Sequence, residues 1–171
     1  DVVIGQEGRY PSEPGLAADK LNWPVGVATN GQYLLVTDTE NNRVLIWNEF
    51  PTEDGQPANL VLGAPDFTTR GKIPLPHPDG WEKKYFEWPW DVFTDGTRVI
   101  ISGTGVSNVL IWNSFPTENF QPADVVLTEE TIGTSGTPRC AYFDGQLLLI
   151  GDYTAEKTFV WNELPQSDNE P

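Results

Sequence analysis

The chain has 171 residues, with 25 acidic against 10 basic side chains and a formal net charge of −15. Such a surface repels phosphate backbones and anionic bilayers, so nucleic acid and membrane insertion are not expected of it. One cysteine, Cys140, excludes an intrachain disulfide, one histidine excludes a multi-histidine metal site, and no apolar run approaches the roughly 18 residues of a membrane helix.

Sixteen Gly, 15 Pro and seven Trp point to many turns and short strands. The chain starts with DVVI, residues Asp1, Val2, Val3 and Ile4, followed by a Gly- and Pro-containing connection. Next come PVGVAT from Pro24, the turn NGQ, YLLVT, the loop DTENN, RVLIW ending at Trp47, a Pro-containing turn and ANLVL ending at Leu62. After a connection over 64–87 the same order recurs: PWDVFT, DGT, RVIIS, NVLIW, a Pro-containing turn and ADVVL, spanning 89–127. A shorter connection leads to PRCAYF, DGQ, LLLIG and KTFVW within 138–171. Asn-Gly and Asp-Gly predict two-residue hairpin turns. Helical periodicity is absent.

The spacing makes these three repeats. Trp47, Trp112 and Trp161 lie 65 and 49 residues apart, as do Pro24, Pro89 and Pro138, so the block from Pro to Trp is a constant 23 residues. Each unit reads as a four-stranded antiparallel meander, with near-continuous apolar strands covered on both faces by neighbours. The words WPVGVATNGQYLLVTDTENNRVLIWN and their two relatives resemble NHL-type and related β-propeller repeats. The resemblance implies an all-β fold of propeller blades at 24–62, 89–127 and 138–171. The third blade has three strands, and DVVI at 1–4 reads as the outer strand of a neighbouring blade.

Propellers close with four to eight blades. Three per chain therefore predict that Asp1–Ile4 completes a blade of another copy, in a closed six-bladed dimer or an open filament. The other expectation is that these residues belong to a longer propeller. The absence of Met and a start at Asp1 suggest processing or excision, with removal of a secretory leader as one source and a secreted or cell-surface location as its consequence.

Four groups of residues are candidates for chemistry or binding. Asp38 with Arg43, and Asp152 with Lys157, occupy equal places in units one and three, where unit two has Gly103 and Asn108. Joint retention and joint loss predict structural ion pairs. The 64–87 insertion gathers Arg70, Lys72, His77, Trp81, Lys83, Lys84 and Tyr85, a candidate loop for a protein or glycan ligand. The innermost strands bring Asp91, Arg139 and Trp90, with Thr29 and Thr94, to a central channel, and Trp23 and Trp88 to its entrance. Enzymes of six-bladed propeller folds, such as lactonases and amidating lyases, hold calcium or zinc there. Of that ligand set only Asp91 is present, so no catalytic residue or cofactor is assigned and calcium at Asp91 is the alternative. Cys140, in RCAYF, reads as a buried, inert thiol. The expected function is a non-enzymatic structural or interaction module. A metal-dependent enzyme is its rival.

Overall fold

The computed structural model describes residues 1–133 and 136–170, so Pro171 at the end of the third unit lies outside them. The fold is all-β, and the described residues form eleven strands in three antiparallel sheets. Sheet one runs β1 (Pro24–Thr29), β2 (Leu34–Asp38), β3 (Arg43–Trp47) and β4 (Leu60–Leu62), each strand paired with the next. Sheet two repeats that order with β5 (Pro89–Thr94), β6 (Val99–Gly103), β7 (Asn108–Trp112) and β8 (Val125–Leu127). Sheet three holds β9 (Pro138–Phe143), β10 (Leu148–Asp152) and β11 (Lys157–Trp161). Among the described residues the α-helical content is one short turn, α1 (Glu129–Ile132), and no helix is long and apolar enough to cross a membrane.

The first hairpin of each sheet is wider than the Asn-Gly and Asp-Gly signals predict. Thr29 pairs with Leu34, Thr94 with Val99 and Phe143 with Leu148, which leaves four residues in each connection. The reason is side-chain capping. Asn30, Asp95 and Asp144 each accept two backbone N–H bonds from inside the turn, and the following glycines take positive φ of 93°, 91° and 104°. Thr29 and Thr94 belong to the same device. Their hydroxyls donate to the carbonyls of Tyr33 and Arg98, so they serve turns rather than a channel.

The long turn after each third strand is held by its tryptophan. The indole N–H groups of Trp47, Trp112 and Trp161 donate to the carbonyls of Gln56, Gln121 and Glu170. Burial of these rings favours the turns: Trp47 and Trp112 are fully buried.

The sheets stack one on the next. Leu35, Val44, Ile46, Val92, Ile101 and Trp112 form the core between sheets one and two. Ile100, Val109, Ile111, Ala141, Phe143 and Ile150 form that between sheets two and three. Strands β2, β3, β6 and β7 are buried along their whole length, as continuous apolar runs demand. Val92 and Ala141, each facing the sheet before it, are 4% exposed, whereas Val27, at the same place in sheet one, is 65% exposed. Val27 is thus an exposed apolar side chain on the flank of sheet one, whereas Val36, Leu45 and Val61 of that sheet are buried with Leu21 and Ile4.

Candidate functional site

The polar centre of the molecule is the turn between β2 and β3. Asp38 and Arg43 form an ion pair at 2.6 Å with both side chains fully buried. Asp38 also accepts from the Asn22 amide and the Asn41 side chain. The Arg43 guanidinium donates further to the carbonyls of Ala17, Lys20 and Phe67. One arginine thus ties together the connection before sheet one, the turn within it and the connection after it. Burial pushes the Asp38 carboxyl above its ordinary range, against the opposing pull of Asn41, the Asn22 amide and Arg43.

Sheet three departs from the expected second pair. Among the described residues no ion pair joins Asp152 to Lys157. Lys157 is exposed, while Asp152 is buried, with one carboxylate oxygen bonded to the Ala155 amide and the other without a partner. In sheet two, Gly103 replaces the carboxylate because Asn108 fills its space. A Cβ at Gly103 would collide with the Asn108 Oδ1.

The leading segment has no strand assignment, yet it is docked. Val3 donates to the Asp54 carboxylate at 2.7 Å, and its carbonyl accepts from the Gly55 amide at 2.9 Å. The same two bonds recur between sheets. Val61 of β4 bonds the Asn119 side chain and the Phe120 amide, and Val126 of β8 bonds the Asp168 side chain and the Asn169 amide. Gly55, Phe120 and Asn169 all have positive φ, at 68°, 58° and 54°. Val3 therefore sits on the turn of sheet one as an outer strand sits on the turn of the sheet after it. Ile4 packs under the same turn against the Leu21, Trp47 and Val61 cluster.

The opposite end is open. β11 is paired on one side only, with β10, and Val160 is 55% exposed. A groove of about 490 Å³ runs along this edge, lined by Thr131, Phe159, Val160, Trp161, Pro165 and Glu170. Cys140 is exposed rather than buried. Its counterpart in sheet one, Gly26, lies against the Trp90 carbonyl of the next sheet, and no described sheet covers Cys140 in that way.

The 64–87 insertion spends most of its cations internally. Arg70 pairs with Glu40 at 2.9 Å, Lys83 pairs with Asp168 and donates to the Asp124 carbonyl, and Lys84 and Tyr85 pack on the Phe120 ring. Lys72 and His77 are exposed, and His77 lies against Trp81, 4.5 Å between ring centroids. Sequence reasoning missed Phe86, 1% exposed at the end of this insertion, which wedges between sheets one and two and touches Gly63 and Gly103. An aromatic in a loop has no periodic neighbours to mark it as core.

The first strands do bring Trp90, Asp91 and Arg139 together. Each carries one extra residue relative to its partner strand near its start, a bulge that re-aims the side chains there. Trp90 and Arg139 are the bulged residues of β5 and β9, and the Arg139 guanidinium lies 4.4 Å from the Trp90 ring and 4.1 Å from the Tyr153 ring. Asp91 accepts from the Ala141 amide across the sheet junction, and burial raises its carboxyl above the ordinary range, against that bond and one from the Val92 amide. Trp23 meets both Trp88 and Trp90 edge to face at 6.2 Å. Among the described residues no three His, Cys, Asp or Glu side chains converge as a metal site would require.

No protein-family model matches the chain, and no curated protein matches it either.

Proposed function

We propose that the chain is a non-enzymatic structural module of NHL-like propeller blades, which assembles by lending Asp1–Ile4 to the open edge of β11 in a second copy. The observation that carries this reading is the threefold repetition of one backbone contact, in which Val3 takes the role of Val61 and Val126. The register is then fixed by the filled sheets. Val44, Leu45 and Ile46 pair with Leu62, Val61 and Leu60, and Val109, Leu110 and Ile111 pair with Leu127, Val126 and Val125. By the same offsets, Thr158, Phe159 and Val160 pair with Ile4, Val3 and Val2. Asn48 and Asn113 donate backbone N–H bonds to the side chains of Asn59 and Asp124, so the Asn162 amide meets the Asp1 carboxylate. Strand addition removes an unpaired edge, and closing the ring sets sheet one of the second copy against the flank that holds the exposed Cys140. Reciprocal exchange makes a six-bladed ring, with Val27 of each copy buried against sheet three of the other.

Light scattering tests the proposal. The wild-type chain is expected at twice its 19.0 kDa mass. Val2→Pro removes a ladder N–H while leaving the Val3 contact to Asp54 and Gly55 intact, and is expected to give a folded monomer. A monomeric wild-type chain, or an unchanged dimer in the variant, overturns it.

A further inference from the structure

The end of the molecule where the first strands begin carries an exposed aromatic surface. Trp23 and Trp88 are 53% and 45% exposed. Both hold left-handed backbone, at φ 56° and 49°, just before Pro24 and Pro89. That region costs free energy for a bulky aromatic, and such strain concentrates at ligand clamps. Trp88 directly precedes the middle sheet, which is flanked on both sides, so its exposure does not come from an open end of the stack. Beside these rings Arg139 is held between Trp90 and Tyr153, with Tyr153 itself 67% exposed. Among the described residues Arg139 makes no ion pair and no hydrogen bond, although acidic side chains outnumber basic ones 25 to 10. A stacked guanidinium is pre-ordered, and its free N–H fork matches a carboxylate in a bidentate pair.

The ligand that fits must offer apolar ring faces to successive indoles and one carboxylate to Arg139. We infer that this surface binds an acidic oligosaccharide of the uronic-acid type, with sugar ring faces on Trp23 and Trp88 and a carboxylate on the Arg139 fork. A lone aromatic acid would cover one indole only. A neutral sugar would leave the guanidinium unpaired.

The test titrates the purified 171-residue chain with trigalacturonate and, separately, with its methyl ester, following tryptophan emission and calorimetric heat. The ester keeps the rings and loses the charge. The acid is expected to bind at least about tenfold more tightly than the ester. Arg139→Gln, an exposed position, is expected to abolish that preference without moving the melting temperature. Arg139→Lys should restore only part of it, because lysine lacks the fork. Trp88→Ala should weaken acid and ester alike. Silence of both signals up to about 10 mM acid, equal affinity for acid and ester, or a preference that survives Arg139→Gln each overturns the inference.

Discussion

Asp38 in sheet one and Asp152 in sheet three occupy the same place in their repeats, are both buried, and are each followed five residues later by a cation. Among the described residues only the first forms an ion pair. The difference lies less in the pair than in its surroundings. Arg43 is anchored by carbonyls from Ala17, Lys20 and Phe67, which belong to the long connections on either side of sheet one. The connection before sheet three is short, and no described segment follows β11 in the place that Phe67 occupies after β4. An ammonium without carbonyls to share its charge stays in water, where hydration is worth more than one buried carboxylate. The repeated spacing therefore encodes a loop clamp, and the salt bridge is one of its parts.

The largest effect should come from cutting the clamp at its centre. Arg43→Met roughly keeps the volume but removes the counter-ion of the Asp38 carboxylate and the donor to three carbonyls. We expect a loss of about 3–5 kcal/mol in urea unfolding. Adding Asp38→Asn to that variant should recover part of the loss, because a neutral amide is cheaper to bury than an unpaired charge. A cost below about 1 kcal/mol for Arg43→Met would mean that the two sites are energetically alike, and the comparison would fail.

How far the sequence carried this account depends on whether the signal was local. The strand segments were legible because apolar runs and turn residues recur at fixed spacing, and the first strands begin and end where PVGVAT, PWDVFT and PRCAYF do. The Asp38–Arg43 pair was legible from its joint loss with Gly103 and Asn108. The hairpin width was not, because the capping bonds of Asn30, Asp95 and Asp144 add residues that the Gly signal alone does not count. Phe86, the exposure of Cys140, and the stacking of Arg139 on Trp90 and Tyr153 were hidden for another reason. Each is decided by how one sheet sits on the next, and no residue near it in the chain records that.

A third carboxylate, the half-buried Asp91, sharpens the comparison between Asp38 and Asp152. Asp91 has backbone amides as partners, and burial raises its carboxyl. The folded protein then holds the proton more tightly than the unfolded chain. Its contribution is fully present below the unfolded pKa, about 3.9, and is lost as pH rises through the higher folded value. Asp91→Asn keeps an acceptor for the Ala141 amide and removes the titration. Urea midpoints measured from about pH 3.5 to 7 should therefore fall less with rising pH in the variant than in the wild type. Parallel curves would show that Asp91 gains as much from its amides as it loses by burial.

The smallest effect is expected at Lys157. It is exposed, so Lys157→Gln in a dilute, single-copy sample should change stability by no more than about 0.5 kcal/mol. The proposed assembly adds a condition. If Asp1–Ile4 of a second copy extends β11, the residues after Ile4 pass over Lys157 as the residues after Leu62 pass over Arg43, and bring carbonyls to it. Lys157 would then be drawn toward the unpartnered oxygen of Asp152. The cost of Lys157→Gln should accordingly grow with protein concentration, while that of Arg43→Met stays constant. A cost at Lys157 that is large in dilute solution would show that the clamp of sheet three closes without a partner. One that stays small at every concentration would show that strand addition, where it occurs, does not reach this residue.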